Sequence, residues 1–125
     1  MPSDTLKGAG VDWVVVQAWT ASYPDPIQLA KGEPVDLDGR EDVWDGHRWL
    51  WAKNRAGKAG WIPDSLIPPD PPFAALAAYD ALELTCQKGE LLQGLMIQHG
   101  WALCRNAGGQ TGWVPMRNLR PVGRS

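Results

Sequence analysis

Trp49-Leu50-Trp51-Ala52-Lys53-Asn54-Arg55-Ala56-Gly57-Lys58-Ala59-Gly60-Trp61-Ile62-Pro63 returns further along the chain as Trp101-Ala102-Leu103-Cys104-Arg105-Asn106-Ala107-Gly108-Gly109-Gln110-Thr111-Gly112-Trp113-Val114-Pro115. Both stretches run Trp, a small residue three places on, a base, Asn, a Gly-bearing turn, Gly-Trp, a β-branched residue and Pro, with no insertion. An internal repeat fixes the structural unit, so it precedes any other reading of the fold. Within each copy the Trp-led run reads as a strand. Ala56-Gly57-Lys58 reads as a hairpin turn and Gly60–Pro63 as the returning strand.

Outward from the repeat, apolar β-rich segments alternate with Gly, Pro and Asp clusters, and no helical period lasts beyond one turn. Val14–Trp19 reads as a first strand and Ile27–Leu29 as a second, before a Lys31-Gly32-Glu33 turn and Val35-Asp36-Leu37 in alternation. Arg40–Arg48 reads as a polar loop, and Asp64-Ser65-Leu66 as one helical turn. The second copy follows the same order through Ala75–Tyr79, Leu84–Cys86, Lys88-Gly89-Glu90, Leu91–Ile97 and Leu119. The expected fold class is all-β, two five-stranded barrels in tandem. The domains are a flexible lead at 1–10, a first domain at 11–67, a proline-rich linker at 68–72 and a second domain at 73–122. Pro68-Pro69-Asp70-Pro71-Pro72 favours a stiff polyproline II spacer.

Bulk composition narrows the function. Domains of this size bury only about 60% of their unfolded surface and lean on large side chains. Eight tryptophans help to meet that need, six of them before residue 62. The net charge of −2 gives no general attraction to nucleic acid or anionic membrane. Residues 1–70 carry 7 basic and 11 acidic side chains, whereas residues 71–125 carry 5 and 3. No segment has signal-peptide or membrane-span character, which places the expected protein in the cytoplasm. No phosphate-cradling glycine loop, nucleophile elbow or metal-ligand spacing is present, so neither a catalytic centre nor a cofactor is expected.

Alternation assigns faces. If Ala52 and Cys104 point inward, so do Leu50 and Ala102, while Trp49, Trp51, Trp101 and Leu103 point out. Outward indoles in a small β domain suggest a binding surface, unless a sheet neighbour or the other module covers them.

The chain resembles the Src-homology-3 (SH3) family in its divergent bacterial form. The resemblance rests on Ala77-Ala78-Tyr79-Asp80, on Glu83-Leu84-Thr85-Cys86-Gln87-Lys88-Gly89-Glu90, on Trp101 and on Gly112-Trp113-Val114-Pro115. The first copy supplies Trp19, Ile27-Gln28-Leu29-Ala30-Lys31-Gly32-Glu33, Trp49 and Gly60-Trp61-Ile62-Pro63. It covers roughly residues 14–67 and 73–122. The resemblance implies a non-catalytic module that docks a protein or proline-rich peptide between flat rings, with an acidic loop gripping a basic residue. In the first groove it points to Trp19, Tyr23, Asp25, Trp49, Pro63 and Leu66, with Glu41, Asp42 and Asp45 as further acids. In the second it points to Tyr79, Trp101 and Pro115, with Asp80 and Glu83.

The chain departs from the family at Ala21 and Ala81, where a second tyrosine is usual, and at Leu66 and Asn118, where another stands. Two alternatives accompany this reading: a scaffold or homodimer with its grooves buried, and recognition of cell-wall peptides. His47 and His99 read as exposed loop residues, Trp61 and Trp113 as structural rings, and Cys86 and Cys104 as buried apolar thiols. Trp51 reads either as covered by the neighbouring module or as widening the first groove.

Overall fold

The computed structural model describes residues 10–22 and 25–122. Ten strands follow in chain order: β1 (Asp12–Val15), β2 (Gln28–Leu29), β3 (Asp36–Trp44), β4 (His47–Lys53), β5 (Ala59–Pro63), β6 (Tyr79–Asp80), β7 (Leu91–Gln98), β8 (Trp101–Arg105), β9 (Thr111–Pro115) and β10 (Leu119–Pro121). Single 3₁₀ turns at Asp64–Leu66 and Met116–Asn118 follow β5 and β9, and no α-helix forms among the described residues. The all-β expectation stands. Apart from Gly10, the expected lead at residues 1–10 lies outside the described residues, as does the candidate groove residue Tyr23.

Both hairpins of the repeat form in the register its pattern dictates. Trp49 pairs with Pro63 and Ala52 with Gly60, while Trp101 pairs with Pro115 and Cys104 with Gly112. The repeated asparagine closes each turn. Asn54 Oδ1 accepts from Lys58 N at 2.9 Å, and Asn106 Oδ1 accepts from Gln110 N at 2.9 Å. Asn54 also donates to Gln28 O at 2.9 Å, which satisfies its amide despite burial.

Arg40–Arg48 is not a loop. It forms the end of β3, a two-residue turn at Asp45-Gly46, and the start of β4. Asp45 and Gly46 take φ of 51° and 79°, and His99 and Gly100 take 51° and 80° in the equivalent turn between β7 and β8. Two successive left-handed residues match the right-handed twist of a hairpin, and Asp-Gly is a favoured pair for that turn. The charged residues of this segment mislead because they line an exposed strand.

The chain divides into two compact units, one of them built from two separate stretches of the chain. A split unit joins residues 10–22 to residues 83–122; an inserted unit spans residues 25–82. The expected domains at 11–67 and 73–122 are therefore not the compact bodies. The 68–72 segment does not lie between units either; it joins Ile67 to Phe73 within the inserted one. Backbone hydrogen bonds of the residues flanking it tie its ends into that unit. Leu76 N donates to Leu66 O at 2.7 Å and Val35 N to Phe73 O at 3.1 Å.

In the split unit, β1 is flanked by β10 and β7 in a five-stranded sheet ordered β10-β1-β7-β8-β9. Trp13, Val15, Leu84, Cys86, Leu92, Ala102, Cys104, Val114 and Leu119 form its core. The inserted unit has a three-stranded sheet ordered β3-β4-β5 and a β2-β6 pair. Ile27, Leu29, Val35, Ala52, Ile62, Leu66, Ile67 and Ala75 form its core, with Leu50 and Phe73 packed against it. Ala102 and Cys104 point inward as alternation requires, as do Ala52 and Leu50.

The glycine of each Gly-Trp pair permits close approach of a neighbouring segment. A Cβ on Gly112 would lie 2.7 Å from Leu84 N and 2.8 Å from Glu83 C, both backbone atoms. On Gly60 its nearest neighbour is the Ile27 side chain, at 3.0 Å. Gly112→Ala is expected to destabilise the protein by about 1–3 kcal/mol, as overpacking does, and Gly60→Ala by less. Urea unfolding midpoints of the two variants check the order.

Candidate functional site

In the split unit, the β7–β8 turn places Trp101 at the start of β8, opposite Pro115. Trp19 reaches it from the segment after β1, its backbone bridged to Cys86. The two indoles meet edge to face, with centroids 5.5 Å apart and planes at 81°. That geometry satisfies the ring quadrupoles. Glu83 holds Trp19 in place: its Oε1 accepts from Trp19 Nε1 at 3.1 Å and from Ser22 N at 2.9 Å. Asn118, 2% exposed, donates to Gln17 O at 3.0 Å and Ala18 O at 3.1 Å. The residue that replaces an expected aromatic therefore fixes the backbone carrying Trp19.

In the inserted unit, Trp49 pairs with Asp42 on one side and Pro63 on the other. Tyr79 begins β6 opposite Leu29 and packs, half-buried, against the core. Asp25 is exposed and forms an ion pair with Lys58 at 2.7 Å. Arg48 forks onto Glu41 through two hydrogen bonds of 2.9 Å. The hydrogen bond and charge of Arg48 hold the Glu41 carboxyl below its ordinary pKa. Both partners are exposed, so the pair orients the β3–β4 hairpin more than it stabilises the fold.

The structure regroups the residues expected from sequence. Trp19 belongs with Trp101 and Pro115, and Tyr79 belongs with Trp49, Pro63, Leu66 and Asp25. Within each group, exposure separates support from contact. Pro63 and Pro115 are fully buried, and Leu66 is 4% exposed. Trp19, Trp49, Tyr79 and Trp101 are half-buried. The indole nitrogens of Trp49 and Trp101 are shielded from solvent. Each unit thus offers ring surface, and its prolines form the layer beneath.

Sequence reasoning missed a second aromatic feature. Trp51 and Trp61 pair across β4 and β5 with centroids 5.1 Å apart, and the Arg40 guanidinium lies 4.8 Å from the Trp51 ring centre. Neither reading of Trp51 anticipated this stack. Arg40 also borders a cleft of about 510 Å³ with Glu41, Arg48 and Asp64 above Leu37 and Leu50. A base over the ring of Trp51, itself packed on Trp61, is a cation–π arrangement. The signal was hidden in the segment taken for a loop.

Among the described residues no group of three or more His, Cys, Asp or Glu side chains is placed to hold a metal ion. Cys86 and Cys104 are free thiols 1% and 0% exposed. Burial pushes the Cys86 thiol up, and it raises Cys104 from 9.0 to about 12. A thiol held neutral in the fold but ionising near 9.0 when unfolded favours folding below that pH and opposes it above. We expect both thiols to resist a disulfide reagent at pH 8 until denaturant is added, and the denaturation midpoint to fall between pH 8 and pH 10. Asn118→Ala, which removes the two hydrogen bonds of a buried amide to the Gln17 and Ala18 backbone, is expected to cost about 1–2 kcal/mol in a denaturant titration.

Comparison with known proteins finds a match to part of the chain. Residues 74–122 match the model described as "Variant SH3 domain". The mouse protein "Epidermal growth factor receptor kinase substrate 8-like protein 3" is 28% identical over 97% of this chain. The chain spans about a quarter of that relative's length, 25%. A variant SH3 domain is therefore found in this chain, and its matched stretch begins in the inserted unit and ends in the split one.

Proposed function

We propose that this chain is a non-catalytic docking module that takes proline-rich protein segments on two half-buried aromatic surfaces. One is built on Trp19 and Trp101, the other on Trp49 with Tyr79. The observation that carries the reading is the edge-to-face Trp19–Trp101 pair, held by Glu83 above buried Pro115. Preset rings suit a preset polyproline II ligand, because neither side loses much freedom on binding. SH3 domains in general bind such segments, which supports the assignment.

Charge distinguishes the two surfaces. Residues 25–82 carry ten acidic and six basic side chains; the described residues of the split unit carry three and four. Asp42, directly across the ladder from Trp49, is placed to draw a basic flank toward that ring. The surface at Trp49 therefore takes proline-rich segments flanked by Arg or Lys, and the one at Trp101 takes uncharged ones. A ligand spanning both gains by avidity. In this reading the module works as a cytoplasmic adaptor. Among the described residues no helix is long and apolar enough to cross a membrane.

Tryptophan fluorescence of the full chain titrated with an Arg-flanked proline-rich peptide is expected to shift. Trp49→Ala is expected to weaken that binding by tenfold or more, as removal of a central anchor does. Trp101→Ala is expected to weaken an uncharged proline-rich peptide instead. Unchanged affinity in both variants would overturn the proposal. Light scattering that shows a dimer unresponsive to peptide would favour buried grooves.

A further inference from the structure

The segments that precede the two repeats occupy equivalent places, each on the other repeat's residues. Val15 N donates to Glu90 O at 2.9 Å, and Gly89 N donates to Val15 O at 2.7 Å. Ala75 N donates to Glu33 O at 2.9 Å, and Gly32 N donates to Ala75 O at 2.7 Å. One residue later, Val16 N meets Asn118 O at 2.8 Å and Leu76 N meets Leu66 O at 2.7 Å. Trp19 bridges Cys86 as Tyr79 pairs with Leu29. The leading segment of each copy is thus built into the body of the other.

Backbone hydrogen bonds do not choose between this pairing and the contiguous one, since both turns read Lys-Gly-Glu and offer the same groups. Side-chain volume does. The segment in the split unit brings Trp13 and Val15; its counterpart in the inserted unit brings Phe73 and Ala75. The bodies compensate. Where the split unit has Cys86, Ala102 and Val114, the inserted unit has Leu29, Leu50 and Ile62 at the matching positions. Leu92 against Val35 and Cys104 against Ala52 run the other way, by a single heavy atom each. The bulky strand therefore meets the body with small side chains, and the slight strand meets the body with large ones. Contiguous pairing would crowd Trp13 and Val15 against Leu29, Leu50 and Ile62. It would also leave a hole above Cys86, Ala102 and Val114, and close-packed cores tolerate neither. Trp13 fits this role, since its buried indole nitrogen has no hydrogen-bond partner among the described residues and its contribution is volume.

We propose that complementary core volumes commit this chain to a reciprocal exchange of leading strands, which makes residues 25–82 an insert within the other module. The exchange also brings Trp19 to Trp101, a pairing that contiguous modules would not contain. This inference does not rest on the proposed ligand.

Cross-linking in the full chain tests it. Asp12 pairs with Gln93 in the exchanged arrangement, whereas in the contiguous one Asp12 would face Asp36, the residue matching Gln93. All three are exposed. A short bismaleimide is expected to bridge Asp12→Cys to Gln93→Cys within one chain in high yield. It is expected to bridge Asp12→Cys to Asp36→Cys no more than single-cysteine controls do. An intrachain bridge from 12 to 36, or a 12–93 bridge formed only between chains, would overturn the exchange. Swapping the strand volumes in the 12–93 background (Trp13→Phe, Val15→Ala, Phe73→Trp and Ala75→Val together) is expected to lower both bridge yield and thermal midpoint. If both stayed unchanged, volume would not be the cause.

Discussion

Val15 holds the architecture together: it donates to Glu90 and accepts from Gly89, and its side chain is 1% exposed in the split unit's core. That clamp docks β1 between β10 and β7, and the five-stranded sheet is continuous only with β1 joining those two strands. The same docking carries Trp19 to Trp101 and lets Asn118 and Glu83 fix it there. The core residue Val15 and the ring of Trp19 are thus placed by one leading segment.

The chain handles the interruption through its turns. Lys31-Gly32-Glu33 and Lys88-Gly89-Glu90 receive a leading strand in the same way, with Gly32 and Gly89 at φ of 83° and 92°. Left-handed backbone at these sites suits glycine, which has no Cβ to clash. Glu33 and Glu90 reach back to cap their own turns at Ala30 N and Gln87 N, each at 3.0 Å. Two receiving sites of one design can hold either leading strand, so the choice passes to packing.

Most of the hairpin architecture was legible in the sequence. The Trp-to-Pro repeat set both hairpin registers, inward Leu50 and Ala102 followed by alternation from inward Ala52 and Cys104, and the 3₁₀ turn fell at Asp64–Leu66 as read. Asp45-Gly46 was equally legible but was overridden by the charges around it, which mark an exposed strand as readily as a loop. The site was less legible. The motif offers Trp49, Trp101, Pro63 and Pro115 as candidates, while the stacking of Arg40 on Trp51 and the hydrogen bond from Trp19 to Glu83 join residues that no local pattern pairs.

Local spacing therefore specified strands, turns and the faces of their side chains, because those follow from backbone periodicity and the needs of glycine within a few residues. It could not say which leading strand enters which core. Val15 and Ala75 present identical hydrogen-bonding groups to identical turns, and the sums of side-chain volume that separate them are gathered from strands far apart in the chain. Linear order favoured contiguous modules; close packing of distant residues favoured the exchange, and with it the partnership of Trp19 with Trp101.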